Sequence, residues 1–308
     1  LVMLDYKLLE ALAAVVEMGG FEKAARALHM TQSAVSQRVK LLEERAGQVL
    51  LVRSSPPVAT RAGRRMLIHC LKVRQLEGDL RNVLTPAAHT AFESIAVGIN
   101  ADSIATWFLP VMRPFLALES VTLDLRVDDQ EQTHRLLGDG EVVGCISASS
   151  LPVQGCTLSL LGRMGYRLVS SKDFASRWFP CGMDSASVSR APLLIFNRKD
   201  TLQNQLFREI FGKIPASLPI HYLPSSEKFV DFIAAGLAYG MLPDLQSADL
   251  IAHGKFVDLV PESPVSVPLY WHCWNLKSEL LERFSRHLVS RAGGVLDGPV
   301  EACFQGKG

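Results

Sequence analysis

The sequence predicts a chain in three parts: a small all-α head with a β wing, a long linker helix, and a C-terminal α/β body of two lobes. Three observations predict this. Within the first sixty residues, three short helical periods surround tight turns. An unbroken helical period then runs from Thr60 to about Leu84. Beyond residue 93, short apolar strands alternate with helical stretches in two successive runs.

The chain of 308 residues has room for roughly two domains of ~100–200 residues each. Its 48% hydrophobic and 20% charged content is that of a globular protein, not a disordered or fibrous one. No apolar run approaches the ~18–20 residues of a membrane span. The opening Leu1-Val2-Met3-Leu4-Asp5 has no basic stretch of the kind that begins a signal peptide, so a cytoplasmic protein without a membrane partner is expected. The net charge of +1 hides an asymmetry. Residues 1–90 hold 13 Lys and Arg against 8 Asp and Glu, net +5, and the rest 19 against 23, net −4. A basic head on an acidic body suits a nucleic-acid-binding module joined to something else. Cys70, Cys145, Cys156, Cys181, Cys273 and Cys303 form no C-x-x-C pair and stand at no zinc-site spacing, so reduced thiols and no metal are expected.

In the head, Asp5 can cap a first helix carrying Tyr6, Leu9, Ala13 and Val16, which Gly19-Gly20 ends. A second helix spans Phe21 to Leu28. After His29-Met30, Thr31 is a good N-cap for a third, from Gln32 to about Arg45, ended near Gly47. Ala24, Ala25 and Ala34 would let the helices cross closely, and Val35, Val39 and Leu42 would face the core. This is the layout of a helix-turn-helix. The opposite face carries Gln32, Ser33, Ser36, Gln37 and Lys40, side chains suited to base edges and phosphates in a major groove. Val49–Arg53 reads as a strand, Pro56-Pro57 breaks it, and Val58-Ala59 returns as a wing, with Arg53 placed to meet a phosphate.

The run from Phe21 to Glu43 (F-E-K-A-A-R-A-L-H-M-T-Q-S-A-V-S-Q-R-V-K-L-L-E), followed by L-L-V-R and Thr60-Arg61-Ala62-Gly63, resembles the LysR-type transcriptional regulators. The resemblance implies a winged helix-turn-helix that reads double-stranded DNA. It nominates the start of the third helix, Gln32, Ser33, Ser36, Gln37 and Arg38, as contacts beside Thr31, Lys40 and Arg53. Many members have Ser-Arg-Gln-Ile where this chain has Ser36-Gln37-Arg38-Val39, which leaves open which middle residue faces the groove.

The second part of the pattern, with Met66, Leu67, Leu71, Val73, Leu76, Leu80, Val83 and Leu84, makes a helix with an apolar stripe that must be buried somewhere. Pairing with a second chain is expected, and Thr85-Pro86-Ala87-Ala88 reads as a hinge. The resemblance implies dimers through this helix, further association into tetramers, and promoter sites with dyad half-sites.

In the body, strands are expected at Ser94–Ile99, Val121–Val127, Val143–Ser147, Leu158–Leu161 and Tyr166–Ser170, then at Leu193–Phe196, His221–Leu223, Gly240–Leu242 and Leu269–Trp274. Between them lie helices, one from residues 100–103 to Leu118 interrupted by Pro110 and Pro114, one at Lys228–Ala235, and a closing one at Ser278–Arg291. Largely parallel sheets follow from this alternation. Ligands of open α/β sheets bind beyond the carboxyl ends of strands. The polar loops there are Asn100-Ala101-Asp102-Ser103, Asp128-Asp129, Ser147-Ala148-Ser149, Phe196-Asn197-Arg198 and Ser225-Ser226. The resemblance implies a periplasmic-binding-protein-like domain with its ligand between the lobes. The parts are then a DNA-binding head (1–60), linker and hinge (61–90), and effector domain (91–300), with one lobe of 91–170 plus 265–300 and the other of 171–264.

Further stretches, including Asn100 to Trp107, Gly140 to Gly144, Ser225-Ser226-Glu227 and Leu269 to His272, are similar to the ArgP branch of that family, as is Pro56-Pro57. This implies L-lysine or L-arginine as effector and genes of amino-acid export or metabolism as targets. Ser103, Ser147 or Ser149 are candidates for its carboxylate; Asp102, Asp128 and Asp129 for its cation; Trp107 for a cation–π face. The residues beyond Ala292 match nothing and read as disordered. Regulation would follow if the ligand closed the cleft, changed the spacing of the heads and thereby RNA polymerase recruitment. An enzyme is disfavoured: no Gly-rich phosphate loop, G-x-S-x-G or H-E-x-x-H occurs, and His134, His221, His253 and His272 are scattered. A transport-type solute-binding protein would need a signal peptide and would not carry residues 1–84; an architectural DNA binder that ignores ligands is separated only by measurement.

Overall fold

The computed structural model describes residues 4–84, 92–127, 133–215 and 217–296. The head consists of α1 (Tyr6–Glu17), α2 (Phe21–Ala27) and α3 (Gln32–Ala46). Asp5 caps α1 by accepting from the Lys7 N–H at 3.1 Å, and Gly19, at φ +69°, turns the chain out of it. Ala24 and Ala25 bring the helices together around Leu9, Leu12, Val35, Val39 and Leu42. The wing is shorter than the sequence pattern: β1 (Leu51–Val52) pairs antiparallel with β2 (Val58–Ala59). Val49 stays outside the ladder because its carbonyl accepts the Thr60 hydroxyl at 2.8 Å.

Helix α4 (Arg61–Leu84) is 24 residues and about 36 Å long. Its apolar stripe is shared among several surfaces, part of it packed within the chain and part left open. Leu67 and Cys70 join the head core, while Ile68 and Leu71 pack on the body. Leu76, Leu80 and Leu84, one turn apart, remain exposed. Arg64 meets Asp139 at 3.1 Å, and the Lys72 ammonium stands 5.4 Å above the Trp274 ring. The expected hinge at Thr85–Ala88 lies outside the described residues.

The body begins with β3 (Glu93–Ile99), which runs into α5 (Ala101–Ser103), a π turn over Ile104–Phe108, and α6 (Leu109–Leu118). The prolines do not interrupt this helix. Pro110 falls in the first turn of α6, and the widened π turn lies where its ring would crowd the Thr106 carbonyl. The chain continues through β4 (Val121–Val127), α7 (Thr133–Gly138), β5 (Gly144–Ser147) and β6 (Cys156–Ser171). Next come α8 (Lys172–Trp178), α9 (Ser185–Val188), β7 (Leu193–Ile195), α10 (Leu202–Phe211), β8 (Ile220–Tyr222), α11 (Ser226–Ala234), β9 (Tyr239–Pro243), α12 (Asp244–Ala252) and β10 (Phe256–Asp258). Strand β11 (Val265–Trp274) returns to the first half, and α13 (Glu279–Ala292) packs there, with Phe284 against Phe115 and Trp271.

The strand order is β4-β3-β5-β11-β6-β9-β7-β8, with β10 also on β6. Pairing is parallel within β4-β3-β5 and within β9-β7-β8, as expected, but antiparallel wherever β6 or β11 takes part. These two long strands join the halves into one curled mixed sheet. Strand β6 pairs with β11 as far as Tyr166 and with β9 from Tyr166 to Val169. The sequence pattern predicts two strands here because Gly162 and Gly165 break the apolar run, yet the ladder passes through both. At Gly162 a Cβ would lie 2.6 Å from that of Leu296, so the missing side chain makes room for the chain's return. Leu296 is buried, which corrects the expectation of disorder from Ala292 onward; residues 297–308 lie outside the described part. The three-residue β10 has no counterpart in the sequence reading.

Candidate functional site

Two places combine polar side chains with a defined setting: the outer face of α3 and a cavity between the halves of the sheet. On α3, Thr31 Oγ1 accepts from the Ala34 N–H at 3.2 Å and contacts Ser33 Oγ at 3.0 Å, fixing the helix start. Val35, Val39 and Leu42 anchor the inner face. Gln32, Ser33, Gln37 and Lys40 are exposed, whereas Ser36 and Arg38 are partly buried. The reversed pair thus turns Gln37 outward more fully than Arg38. Lys40 has Glu44 3.8 Å away. Arg53 lies over the Phe21 ring, 5.7 Å from its centroid, at the base of the wing. Near the end of α3, Glu43 Oε1 accepts from the Leu50 and Leu51 N–H groups at 2.9 and 3.2 Å, a connection between helix and wing that sequence reasoning missed.

The interlobe cavity has a volume of about 600 Å³. Of the sequence-nominated loops, Asn100, Ala101, Asp102, Ala148 and Phe196 line it. Tyr166 Oη donates to Asp102 Oδ2 at 2.8 Å, and Ser226 Oγ donates to Oδ1 at 2.5 Å. One carboxyl therefore joins α5 in one half of the sheet to α11 in the other. Burial pushes this carboxyl above the usual carboxylate range, and the two hydroxyls oppose that. Beside it Asn100 is 2% exposed, and neither amide atom has a hydrogen-bond partner among the described residues.

Other nominated residues serve the framework. Ser103 and Trp107 are buried inside, with Trp107 Nε1 donating to Ser103 Oγ at 3.1 Å, so the indole presents no face to the cavity. Ser147 Oγ accepts from the Ser149 N–H at 3.1 Å, and the Ser149 carbonyl is 2.9 Å from His272 Nε2. Asn197 Oδ1 accepts from the N–H groups of Lys199 and Asp200, closing a turn. Ser225 precedes α11 as its N-cap without a side-chain cap bond. Asp128 and Asp129 lie outside the described residues. Sequence reasoning missed Tyr166, Lys199, Asp200, Gln203 and Arg163 on the cavity wall. The polar run after β7 was a signal for the middle three; Tyr166 and Arg163, within a strand, gave none.

A larger opening of about 1100 Å³ separates head and body. Much of its charged lining is internally paired: Arg64 with Asp139, Arg74 with Glu17, and Arg126 with both Asp124 and Glu141. Among the described residues no group of His, Cys, Asp and Glu is arranged to hold a metal ion, and no helix is long and apolar enough to cross a membrane.

Residues 6–64 match the bacterial regulatory helix-turn-helix proteins of the lysR family, and residues 91–293 match the LysR substrate binding domain. Among curated relatives, the HTH-type transcriptional regulator ArgP of Pseudomonas aeruginosa is 45% identical over 96% of this chain and 98% of its own length. The chain belongs to the LysR family, in its ArgP branch. Among LysR-family structures, ArgP from Mycobacterium tuberculosis superposes with a TM-score of 0.83 at 40% identity, covering 96% of this chain and 100% of that one. Full-length LysG from Corynebacterium glutamicum with bound effector Arg gives 0.76 at 31% identity, over 96% and 100% of the two chains. In this LysR-family chain, α1–α3 and the wing are thus the helix-turn-helix domain, and the curled sheet is the substrate-binding domain.

Proposed function

We propose that this chain is a transcriptional regulator whose effector is a basic amino acid, L-lysine or L-arginine, bound between the lobes. The carrying observation is the Asp102 carboxyl on the cavity wall, beside the unpartnered Asn100 amide. A buried cation needs such a partner, and an amide offers both a donor and an acceptor to a zwitterion. The bound arginine of the LysG relative supports the same ligand class. In this reading the head is residues 1–60, the linker 61–90, and the effector domain 91–300, with lobes at 91–170 plus 265–300 and at 171–264. Gln32, Ser33, Ser36, Gln37 and Arg38 read bases, while Thr31, Lys40 and Arg53 hold the backbone. Dimers or tetramers, paired through the exposed leucines of α4, occupy dyad half-sites in the cytoplasm. Ligand changes the spacing of the heads, and with it RNA polymerase recruitment at genes of amino-acid export or metabolism. The protein acts by binding, not by catalysis.

Thermal melting against the twenty amino acids tests the effector. A ligand of the folded state stabilises it by about 2.7 kcal/mol at a hundredfold excess over Kd. A shift with lysine or arginine alone is expected; no shift with either would overturn the assignment. For the head, a Gln32→Ala, Ser36→Ala double variant should lose sequence preference, and full operator selectivity in that variant would refute the recognition-helix reading.

A further inference from the structure

Arg64, in the first turn of α4, holds two partners at once. Its Nη1 donates to the Ala59 carbonyl of the wing at 3.0 Å, and its Nε stands 3.1 Å from Asp139 Oδ1 on the body. One guanidinium thus spans head and body. Asp139 is itself fixed at the end of α7. Gly140, at φ +77°, turns the chain there, its N–H donating to the Leu137 carbonyl at 3.2 Å and the Glu141 N–H to that of Leu136 at 2.8 Å. The start of α7 is tied to the sheet, where buried Thr133 donates its hydroxyl to the Ile146 carbonyl at 2.7 Å, just before Ala148 on the interlobe cavity wall.

The ion pair alone is weak, because its side chains are 38% and 49% exposed. Its setting is firmer. One turn on, Ile68 sits so close to Gly140 that an added Cβ there would overlap Ile68 Cγ1. Further along, Lys72 stands above the Trp274 ring, and at Gly78 a Cβ would lie 2.8 Å from Glu93 Oε2. From Arg64 to Gly78 the helix therefore lies along the body for about 21 Å. Leu76, Leu80 and Leu84 stand roughly a quarter to a half turn round the helix from Ile68 and stay exposed. So do Gln32, Ser33, Gln37 and Lys40 on α3. Docking on the body covers neither the leucine row nor the recognition face.

We propose, resting on the reading above of paired chains on dyad half-sites, that Asp139 is a positioning residue for DNA binding. Through Arg64 it sets the direction of the wing, and with it the head, relative to the effector domain. Ile68 on Gly140 supplies the seat on which that contact closes. In a pair of chains each head then points where its own effector domain directs it. The distance between the two recognition helices is fixed by the body and not left to a free linker. Base reading is untouched, since no base-facing residue takes part. The ion pair therefore governs the spacing of half-sites, while the half-site sequence remains the task of α3. An exposed ion pair shifts an equilibrium by roughly 1.5- to fivefold, and a two-fold axis applies it twice, which gives roughly two- to twenty-five-fold for the pair.

Selection from a random pool of double-stranded DNA, with the full chain and no added amino acid, reads half-site sequence and spacing together. The wild type is expected to enrich paired half-sites at one dominant spacing. Asp139→Asn should enrich the same half-site but lower the dominant spacing against its neighbours by roughly two- to twenty-five-fold. Ile68→Ala should broaden the spacings likewise. Asp139→Glu keeps a carboxylate within reach of Arg64 and should restore most of the preference, which a merely structural role would not do. An unchanged spacing in Asp139→Asn overturns the proposal, whatever Ile68→Ala does, and leaves the dimeric regulator intact. Loss of the half-site sequence itself in Asp139→Asn also overturns it, because the residue would then support the head's fold instead of its placement. Pairs at no preferred spacing in the wild-type pool overturn it too, and lone half-sites there remove the dyad reading with it.

Discussion

Glu43 Oε1 receives the Leu50 N–H at 2.9 Å, so the last turns of α3 hold the first residue before the wing. The same oxygen also takes the Leu51 N–H at 3.2 Å. A charged acceptor on two backbone donors is among the stronger local links a small domain can make. It makes the helix and the wing one rigid unit, which matters if both are to meet DNA together. Glu43→Ala leaves two partly buried N–H groups unsatisfied and should cost about 1.5–3 kcal/mol. Glu43→Gln, which keeps an acceptor, should recover part of that. Urea denaturation of the three proteins measures the difference, and equal midpoints would refute the link.

Gly63 on α4 faces the carbonyl of Leu50, where an added Cβ would sit 2.0 Å from the oxygen. Thr60 caps the same helix, its Oγ1 accepting from the Gly63 N–H at 3.1 Å while donating to the Val49 carbonyl. The Thr60-Arg61-Ala62-Gly63 run is therefore a cap followed by a close approach. Gly63→Ala must push α4 away from the wing, at a cost of about 1–3 kcal/mol as in other overpacked cores. A lowered Tm with a matching loss of DNA affinity is expected. An unchanged Tm would show that the backbone gives way freely.

The head was legible because its signals are local. Thr31 and Gly47 mark the ends of α3, and the small Ala24 and Ala25 mark the crossing. Asn100 and Asp102 were legible through topology, as the loop that follows a parallel strand. Tyr166 was not, since it reaches Asp102 from 64 residues away and from inside a strand. Ser103 and Trp107 stand in the nominated segment, but the phase of the helix turns them inward. Asn197 looked like a ligand contact and instead closes its own turn. The single strand β6 escaped notice because its glycines make room for residues far along the chain, Gly162 for Leu296 and Gly165 for Asp244.

Salt dependence tests the proposed phosphate contacts separately from base reading. Each neutralised phosphate contributes about −0.9 to the slope of log K against log salt. Lys40→Ala and Arg53→Ala should each flatten that slope by about one and weaken all sequences alike. Fluorescence anisotropy with operator and scrambled duplexes, over a salt series, gives both numbers. A change confined to the operator would reassign the residue to base reading.

Leu76, Leu80 and Leu84 present a row of exposed apolar side chains at four-residue spacing, 42%, 56% and 68% exposed. Among the described residues none of the three belongs to a core cluster, whereas Leu67, Cys70, Ile68 and Leu71 on the same helix are already committed to the head and body. If two α4 helices pair along this row, each leucine removed from water contributes about 1.5–3 kcal/mol. A two-fold axis makes every substitution count twice. A Leu76→Ser, Leu80→Ser variant should therefore weaken self-association by at least about a hundredfold. The fold of each chain should barely change, by about 0.5 kcal/mol, because solvent already surrounds these side chains. Sedimentation over a concentration series separates the two effects. A mass unchanged at every concentration would move the interface to another face of the chain.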